Sequence, residues 1–210
     1  MGTERGMDRL IFFTDAVTAI AITLLILPLV DLVPHGGHDL TISGFIQDNF
    51  GQIFAFVLSF VIIARLWIAN HASLEHVLRA TPALMWLNIA WAFTIVLLPL
   101  PTALTAATQP EAGPVGFYIG TMTANSLLLT AICWVVYKHP EVESGEGAAA
   151  RKERLLGNAA TSVAFIIALI VGTAVREINY FALFALVLTT PFDMIVKRRI
   201  RASVQTEVRN

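Results

Sequence analysis

Six apolar stretches constrain this chain more than any other feature of its sequence, because each is close to the length that crosses a bilayer. A bilayer core about 30 Å thick needs about 20 mostly apolar residues of helix. The stretches cover residues 10–30, 51–69, 83–104, 115–137, 155–175 and 180–196. Polar connectors separate them, and several connectors carry the helix breakers Pro and Gly. We therefore predict an all-α integral membrane protein with six transmembrane helices in one domain, residues 1–210.

The composition agrees with this prediction and excludes several classes of protein. Hydrophobic residues make up 56% of the chain and charged residues only 14%, too few to cover a soluble domain. The formal net charge of -1 provides no basic surface for nucleic acid. A single cysteine, Cys133, excludes a disulfide framework and a Cys-rich metal site. The expected surroundings are the lipid bilayer, with no nucleic-acid partner.

The positions of Lys and Arg predict the orientation, because positive charge is retained on the cytoplasmic side of a membrane. All of these residues except Arg176 lie before the first stretch, near or in the second-to-third and fourth-to-fifth connectors, or after the sixth stretch. Both termini are therefore expected in the cytoplasm. A cleaved signal peptide is the alternative for the first stretch, since Arg5 and Arg9 precede an apolar run. However, residues 31–35 lack a small-x-small cleavage pattern.

The first stretch contains an acidic residue, Asp15, and burying a carboxylate in a membrane is costly enough to suggest a function. Arg9 precedes it by six residues, about 9 Å along a helix axis. We therefore expect each of the two to find partners on other helices. The alternative interpretation is that Asp15 lies at the membrane edge and reaches water.

A stripe of side chains also follows one face of this helix at a period of 3.6 residues. Its members are Phe13, Ala16, Ile20, Thr23 and Leu27. Plain helix packing is one interpretation of the stripe. Repeated around a symmetry axis, the same stripe forms apolar rings, and apolar constrictions gate ion paths by excluding water.

Polar residues of the next two stretches are expected at the membrane level of Asp15. They are Arg65, Trp67, Asn70 and His71 near the end of the second stretch and Asn88 early in the third. Arg65 is a candidate partner for Asp15, and Asn88 is expected to hydrogen-bond to a neighbouring helix. Titration of His71 near neutrality would make the cluster sensitive to pH. With no second histidine at ligand spacing, the sequence predicts no metal site.

Motifs for enzymatic chemistry are missing from the sequence. It contains no nucleophile-base set, P-loop, Gly-rich dinucleotide turn or HExxH pattern. A Thr-Val-Gly-Tyr-Gly filter is missing as well. We therefore expect neither an enzyme nor a cofactor.

The first stretch resembles the first-helix signature of the endosomal/lysosomal potassium channel family and its prokaryotic relatives. The resemblance lies in the run Arg9-x-x-x-Phe13-Thr14-Asp15-Ala16, followed by Ala19 to Leu25. The family has Ser where this chain has Thr14, so the hydroxyl is kept. Six spans with both ends inside, a Trp and a His late in the second span, an early Asn and a late Pro-Leu-Pro-Thr in the third extend the resemblance.

This resemblance implies a potassium-selective channel without the usual filter loop, which conducts potassium passively through a central pore. The implied assembly is a homotetramer in which the first helix of every subunit lines that pore. Ile20 then corresponds to an apolar constriction, Thr23 to a hydroxyl layer linked to potassium selectivity, and Leu27 to the next apolar ring. Potassium ions are expected in the pore near Ile20 and Thr23, with no structural metal site.

The resemblance also implies a polar network between helices. Its members here are Arg9, Phe13, Thr14, Asp15, Trp67, Asn70, His71 and Asn88. Many relatives have paired histidines after the Trp, whereas this chain has Asn70 followed by His71. The role of the first histidine is therefore not carried over to Asn70.

Two other functions fit the residues. A proton-coupled small-solute transporter would use Asp15 and His71 as its titrating pair. A membrane scaffold or sensor would use the polar cluster only to fix packing. The short connectors favour the cell membrane of a prokaryote as the location. The polar network and the basic C-terminal segment are then expected on the cytoplasmic side of that membrane.

Overall fold

The structure is a computed structural model that describes residues 4–33, 41–107, 112–145 and 147–174. Its α-helices are α1 (Glu4–Leu24), α2 (Leu27–Val30), α3 (Ile42–Asp48), α4 (Phe50–Leu74), α5 (Pro82–Leu97), α6 (Pro99–Ala107), α7 (Ala112–Lys138) and α8 (Ala148–Ala174), with a 3-10 turn at Pro140–Val142. Within these residues the β pairing is limited to one isolated bridge, Val77 to Glu143. The all-α prediction is confirmed for this part of the chain.

Five segments of the described chain are long and apolar enough to cross a membrane. They are Arg5–Val30, Phe50–Leu74, Pro82–Leu104, Gly113–Lys138 and Ala148–Ala174. They coincide with the first five predicted spans. The sixth predicted span, residues 180–196, lies outside the described residues.

Several helices continue beyond the apolar stretches that predicted them. Helix α1 begins at Glu4 instead of residue 10, α4 ends at Leu74 instead of residue 69, and α8 begins at Ala148 instead of residue 155. Apolarity marks the part of a helix that faces lipid or protein. The helix itself continues into polar residues, because the backbone hydrogen bonds of an α-helix do not depend on apolar side chains.

A proline sets the internal boundary of the first span, and a capping threonine sets the start of the third. Pro28 has no N–H to donate to the carbonyl of Leu24, and the first span changes there from α1 to α2 through tighter bonds such as Leu25 N to Ile22 O at 3.3 Å. Helix α5 begins after Thr81, whose hydroxyl accepts the N–H of Leu84 at 3.2 Å.

Helix α7 occupies the centre of the described bundle and packs against α8, α5, α6 and α4. Helix α1 packs on α5 and α4, and it also touches α6. The interior is mainly apolar, and its largest fully buried side chains include Trp91, Met122 and Ile132. Helix α1 is thus held on one side by two helices and is open on the other.

One end of the bundle carries the positive charge, and we call it the basic end. It comprises the start of α1, the connector 75–81 between α4 and α5, and the connector 139–147 between α7 and α8. The Lys and Arg residues of the described chain lie there or in the half of the bundle next to it: Arg5, Arg9, Arg65, Arg79, Lys138, Arg151, Lys152 and Arg154. This asymmetry is the charge distribution on which the predicted orientation rests.

The two connectors of the basic end are bonded to each other through their backbones. Leu78 N donates to Val142 O at 2.8 Å, and Ser144 N donates to His76 O at 3.1 Å. These bonds hold the end of α4 beside the start of α8. The arrangement fixes the relative depth of four helices at this end.

A buried carboxylate reinforces this contact. The Glu143 side chain is fully buried and pairs with Arg154 and, at 3.4 Å, with Arg151, each of which is 14% exposed. Arg154 also donates to the carbonyl of Ala72 at the end of α4. Glu143 therefore neutralises two largely buried cations and ties the connector after α7 to α8, which Arg154 joins to α4.

Replacing this carboxylate should destabilise the fold. We expect Glu143→Gln to lower the free energy of unfolding by about 3 kcal/mol, because two guanidinium groups lose their buried counter-charge. The matched control is Glu141→Gln, where the side chain is 68% exposed and contacts His139. The control should change stability by less than about 0.5 kcal/mol. Thermal unfolding of purified protein in detergent measures both, and equal losses in the two variants would contradict the assigned role.

Candidate functional site

Asp15 on α1 is bonded to the indole of Trp67 on α4. Trp67 Nε1 donates to Asp15 Oδ1 at 2.7 Å, and both side chains are half-buried. An N–H bond to a carboxylate is stronger than one between neutral groups and lowers the cost of holding the carboxylate in an apolar region. Asp15 therefore ties α1 to α4 near the basic end.

His71 lies one turn after Trp67 on α4, and the two rings are in contact. Their centroids are 5.6 Å apart, with 35° between the ring planes. The His71 side chain is exposed on the single subunit, and Arg65 is half-buried two residues before Trp67. The pairing of Arg65 with Asp15 stays a prediction.

A chain of hydrogen bonds beside this pair joins α4, α5 and α1, and we call it the amide chain. Asn70 Nδ2 donates to Asn88 Oδ1 at 3.1 Å, and Asn88 Nδ2 donates to Thr14 Oγ1 at 2.5 Å. The Thr14 hydroxyl then donates to the carbonyl of Leu10 at 2.8 Å. Asn70, Asn88 and Thr14 are all buried. The polar groups in the chain satisfy one another, as burial in a membrane requires.

The amide chain assigns contacts to two residues whose roles the sequence left open. Thr14 differs from the Ser of the family signature, but its hydroxyl both accepts and donates in the chain. Asn70, which replaces the first of two histidines, is the donor to Asn88. No spacing rule reveals this contact, although an amide in an apolar span signals that a partner is needed.

Helix α1 has two contrasting faces as a result. Its buried face consists of Met7, Leu10, Thr14, Thr18 and Ala21, and Leu25 just after its end is also buried. The predicted stripe of Phe13, Ala16, Ile20, Thr23 and Leu27 is exposed throughout in the single chain. Ile20 is 60% exposed and Leu27 is 51% exposed. The polar contacts therefore secure one face of α1 and leave the other free.

Within the proposed network, the structure brings most but not all of the residues together. Thr14, Asp15, Trp67, Asn70, His71 and Asn88 lie in the two neighbouring groups of contacts described above. Arg9 and Phe13 lie on exposed positions of α1 in the single chain. Thr23 is exposed as well, and its hydroxyl donates to the carbonyl of Ile20 at 2.8 Å.

Sequence reasoning missed other polar contacts in the interior. Asn125 on α7 donates to Thr94 on α5 at 2.6 Å. The Ser59 hydroxyl on α4 lies 3.0 Å from both the Thr102 and the Tyr118 hydroxyls. Each small polar residue was visible in an apolar stretch, but its partner depends on how the helices rotate about their axes.

No group of three or more His, Cys, Asp or Glu in the described residues is arranged to hold a metal ion.

The sequence and the fold are both similar to those of known proteins. Residues 9–99 match the family of the endosomal/lysosomal potassium channel TMEM175. A potassium channel of Streptomyces collinus is 30% identical over 155 residues, which cover 70% of this chain and 74% of that relative. This chain belongs to the TMEM175 family. The resemblance of the first span is thereby confirmed, and so is the prediction that the chain is not an enzyme.

Further relatives agree with this assignment. A potassium channel of a Chryseobacterium species is 26% identical over 132 residues, 62% of each chain. The fold is similar to that of a lysosomal potassium-selective channel TMEM175 homolog from Chamaesiphon minutus, with a TM-score of 0.72 and 19% identity, covering 88% of this chain and 95% of that chain. It is also similar to a single-residue variant of the potassium channel MtTMEM175, with a TM-score of 0.59 and 17% identity over 93% of each chain.

The central hydroxyl of the amide chain provides a direct test of this site. Thr14→Val keeps the shape but removes the acceptor for Asn88, so we expect a loss of about 1–3 kcal/mol in stability. Thr14→Ser keeps the hydroxyl and should remain close to wild type. Thermal unfolding in detergent distinguishes the two. If valine is tolerated as well as serine, the amide chain does not hold α1.

Proposed function

We propose that this chain is one subunit of a homotetrameric, potassium-selective channel that conducts potassium passively through a pore lined by α1. The observation that carries the proposal is the division of α1 into a buried face held by polar contacts and an exposed stripe. An exposed stripe on the helix that bears the family signature is available to line a pore shared by several subunits. Membership of the TMEM175 family supports potassium as the permeating ion.

Ile20 and Leu27 are proposed to form two apolar rings in this pore. They are exposed and lie seven residues apart in the first span, Ile20 on α1 and Leu27 at the start of α2. Four branched apolar side chains at one level make a narrow, poorly hydrated constriction. An ion crosses such a ring only when the ring is wide enough to stay wet. Potassium ions are expected near Ile20 and Thr23.

Thr23 lies between the two rings and is proposed to contribute to selectivity without a filter loop. Its hydroxyl proton is directed to the Ile20 carbonyl, at 2.8 Å. The lone pairs of the oxygen are therefore free to point away from the helix. Four such oxygens at one level replace part of the hydration shell of a potassium ion, as carbonyl oxygens do in other filters.

The remaining residues of the network are proposed to hold the pore helix at the correct rotation. Asp15 and Thr14 fix α1 through Trp67 and the amide chain. Arg9 and Phe13, exposed in the single subunit, are available for contacts within the assembly. His71 completes the group through its contact with Trp67. A pore helix that cannot rotate keeps Ile20 directed towards the axis.

The orientation that we propose places the basic end in the cytoplasm. The Lys and Arg residues of the described chain lie in the half of the bundle next to that end, as the retention of positive charge on the cytoplasmic side requires. Residues 1–210 then form one transmembrane channel domain with both termini inside, including the sixth span predicted at 180–196. The bacterial relatives support the cell membrane of a prokaryote as its location.

Widening the proposed Ile20 ring should change the ion flux through the pore. We expect Ile20→Ala to increase the flux of both potassium and sodium and to lower the preference for potassium, because smaller side chains leave a wider and wetter ring. The matched control is Ile170→Ala on α8, where the wild-type side chain is 62% exposed, close to the 60% of Ile20. Flux is measured from purified protein in liposomes, with potassium and sodium in parallel sets.

The control should conduct like wild type. Potassium flux without any proton gradient or added solute would also exclude the proton-coupled transporter based on Asp15 and His71. If Ile20→Ala and Ile170→Ala behave identically, Ile20 is not the constriction. If folded, tetrameric wild-type protein passes no ion, the channel function itself is wrong.

The hydroxyl of Thr23 should matter for ion preference more than for the total flux. We expect Thr23→Val, which removes the oxygen and keeps the volume, to lower the ratio of potassium to sodium flux. Thr23→Ser retains the oxygen and should keep most of the preference. The measurement is the reversal potential under mixed potassium and sodium gradients. Equal ratios in the two variants would remove the hydroxyl layer from the mechanism.

A further inference from the structure

Three polar atoms in the interior of the bundle have no hydrogen-bond partner among the residues that the structure describes. They are the hydroxyl oxygen of Thr18 on α1, the indole nitrogen Nε1 of Trp91 on α5 and the amide oxygen Oδ1 of Asn125 on α7. The three residues are buried to more than nine-tenths. A polar atom buried in this way is normally bonded to protein or to ordered water.

Thr18 differs from other buried threonines of the bundle. Their hydroxyls donate to a backbone carbonyl one turn earlier in the same helix, as in Thr14 to Leu10, Thr121 to Phe117 and Thr123 to Ile119. Thr18 makes no such bond, so its hydroxyl is available to a partner outside its own helix.

The register of α1 and α5 places Thr18 and Trp91 at one level. Thr14, in the middle of α1, is bonded to Asn88 in the first half of α5. The first and third membrane spans have one span between them, so α1 and α5 cross the membrane in the same direction. Thr18 lies four residues beyond Thr14, about 6 Å along α1, and Trp91 lies three residues beyond Asn88, about 4.5 Å along α5.

Asn125 reaches the same level from α7. Its Nδ2 donates to Thr94 Oγ1 at 2.6 Å and lies 3.5 Å from the carbonyl oxygen of Trp91. Its amide oxygen, the other end of the same group, is the atom left without a partner. Three helices thus bring one unpartnered atom each to a single level next to the amide chain.

The chemistry of these atoms identifies the ligand. An indole N–H only donates, an amide oxygen only accepts, and a hydroxyl does either. A water molecule accepts from Trp91, donates to Asn125 and makes a third bond with Thr18, and buried waters typically make about three hydrogen bonds. The indole N–H disfavours a cation at this position, and the amide oxygen disfavours an anion.

We propose that one buried water molecule binds between Thr18, Trp91 and Asn125 and joins α1 to α5 and α7. Thr18 is two residues before Ile20, so this water supports α1 from behind at the depth of the proposed constriction. The water site follows from the buried atoms alone. Its effect on conduction rests on the proposed function.

The direct test is nuclear magnetic resonance of 15N-tryptophan-labelled protein in nanodiscs. The indole signal of Trp91, assigned by its loss in Trp91→Phe, should show a cross-peak to a slowly exchanging water. Thr18→Val should abolish this cross-peak and shift the indole proton upfield, because the water loses one of its three bonds. The matched control Thr121→Val removes only a hydroxyl bonded within its own helix and should leave the signal unchanged.

A wild-type density map that resolves waters checks the site without any variant. We expect a peak at about 2.7–3.2 Å from all three atoms. A Trp91 indole without a water cross-peak, an empty site in the map, or a bound ion would each overturn the proposal. For the positioning role, Thr18→Val should lower the ratio of potassium to sodium flux in liposomes, while Thr121→Val should not. An unchanged ratio in Thr18→Val would overturn that role and leave both the water site and the channel function standing.

Discussion

Buried polar groups that water cannot reach must satisfy one another, and the arrangement of α1 depends on this constraint. Leaving a buried amide or hydroxyl without a hydrogen bond costs more free energy than a typical hydrogen bond adds to stability. Asn70, Asn88 and Thr14 meet the constraint together, since Asn88 accepts from Asn70 and donates to Thr14. Asp15 meets it through Trp67. These contacts converge on α1 from two helices and fix its rotation as well as its depth.

Fixing the rotation of α1 connects packing to the proposed function. When the face of Leu10 and Thr14 is held inside, the face of Ile20 and Thr23 must lie outside, because the two sets lie on different sides of one helix. From Phe13 to Leu27 the free side is apolar apart from the hydroxyl of Thr23. Such a surface is stable in lipid and, in four copies around an axis, would form the proposed rings. A substitution that weakens the contacts of the buried side is therefore expected to change the orientation of the exposed side, even though it lies far from the exposed residues.

Much of this arrangement could be predicted from the sequence, but not its contacts. The apolar stretches located the five described spans, and the cost of burying Asp15 identified the first span as unusual. Trp67, Asn70 and Asn88 were placed at one membrane level, because distance from the end of a span sets depth. Which atoms bond was not predictable, since depth does not fix the rotation of a helix. Trp67 as the donor to Asp15 and Asn70 as the donor to Asn88 required the folded chain.

The sequence alone determined what depends on composition and order along the chain, namely the spans, the clustering of positive charge and the residue types of the first helix. These properties depend on transfer to lipid, which acts on each segment separately. The tertiary structure decided what depends on segments far apart in the sequence. It buried Glu143 between two arginines, left the Ile20 stripe open, and left buried polar atoms of Thr18, Trp91 and Asn125 without a partner among the described residues. Hydrogen bonds act over about 3 Å, so only packing determines which of them form.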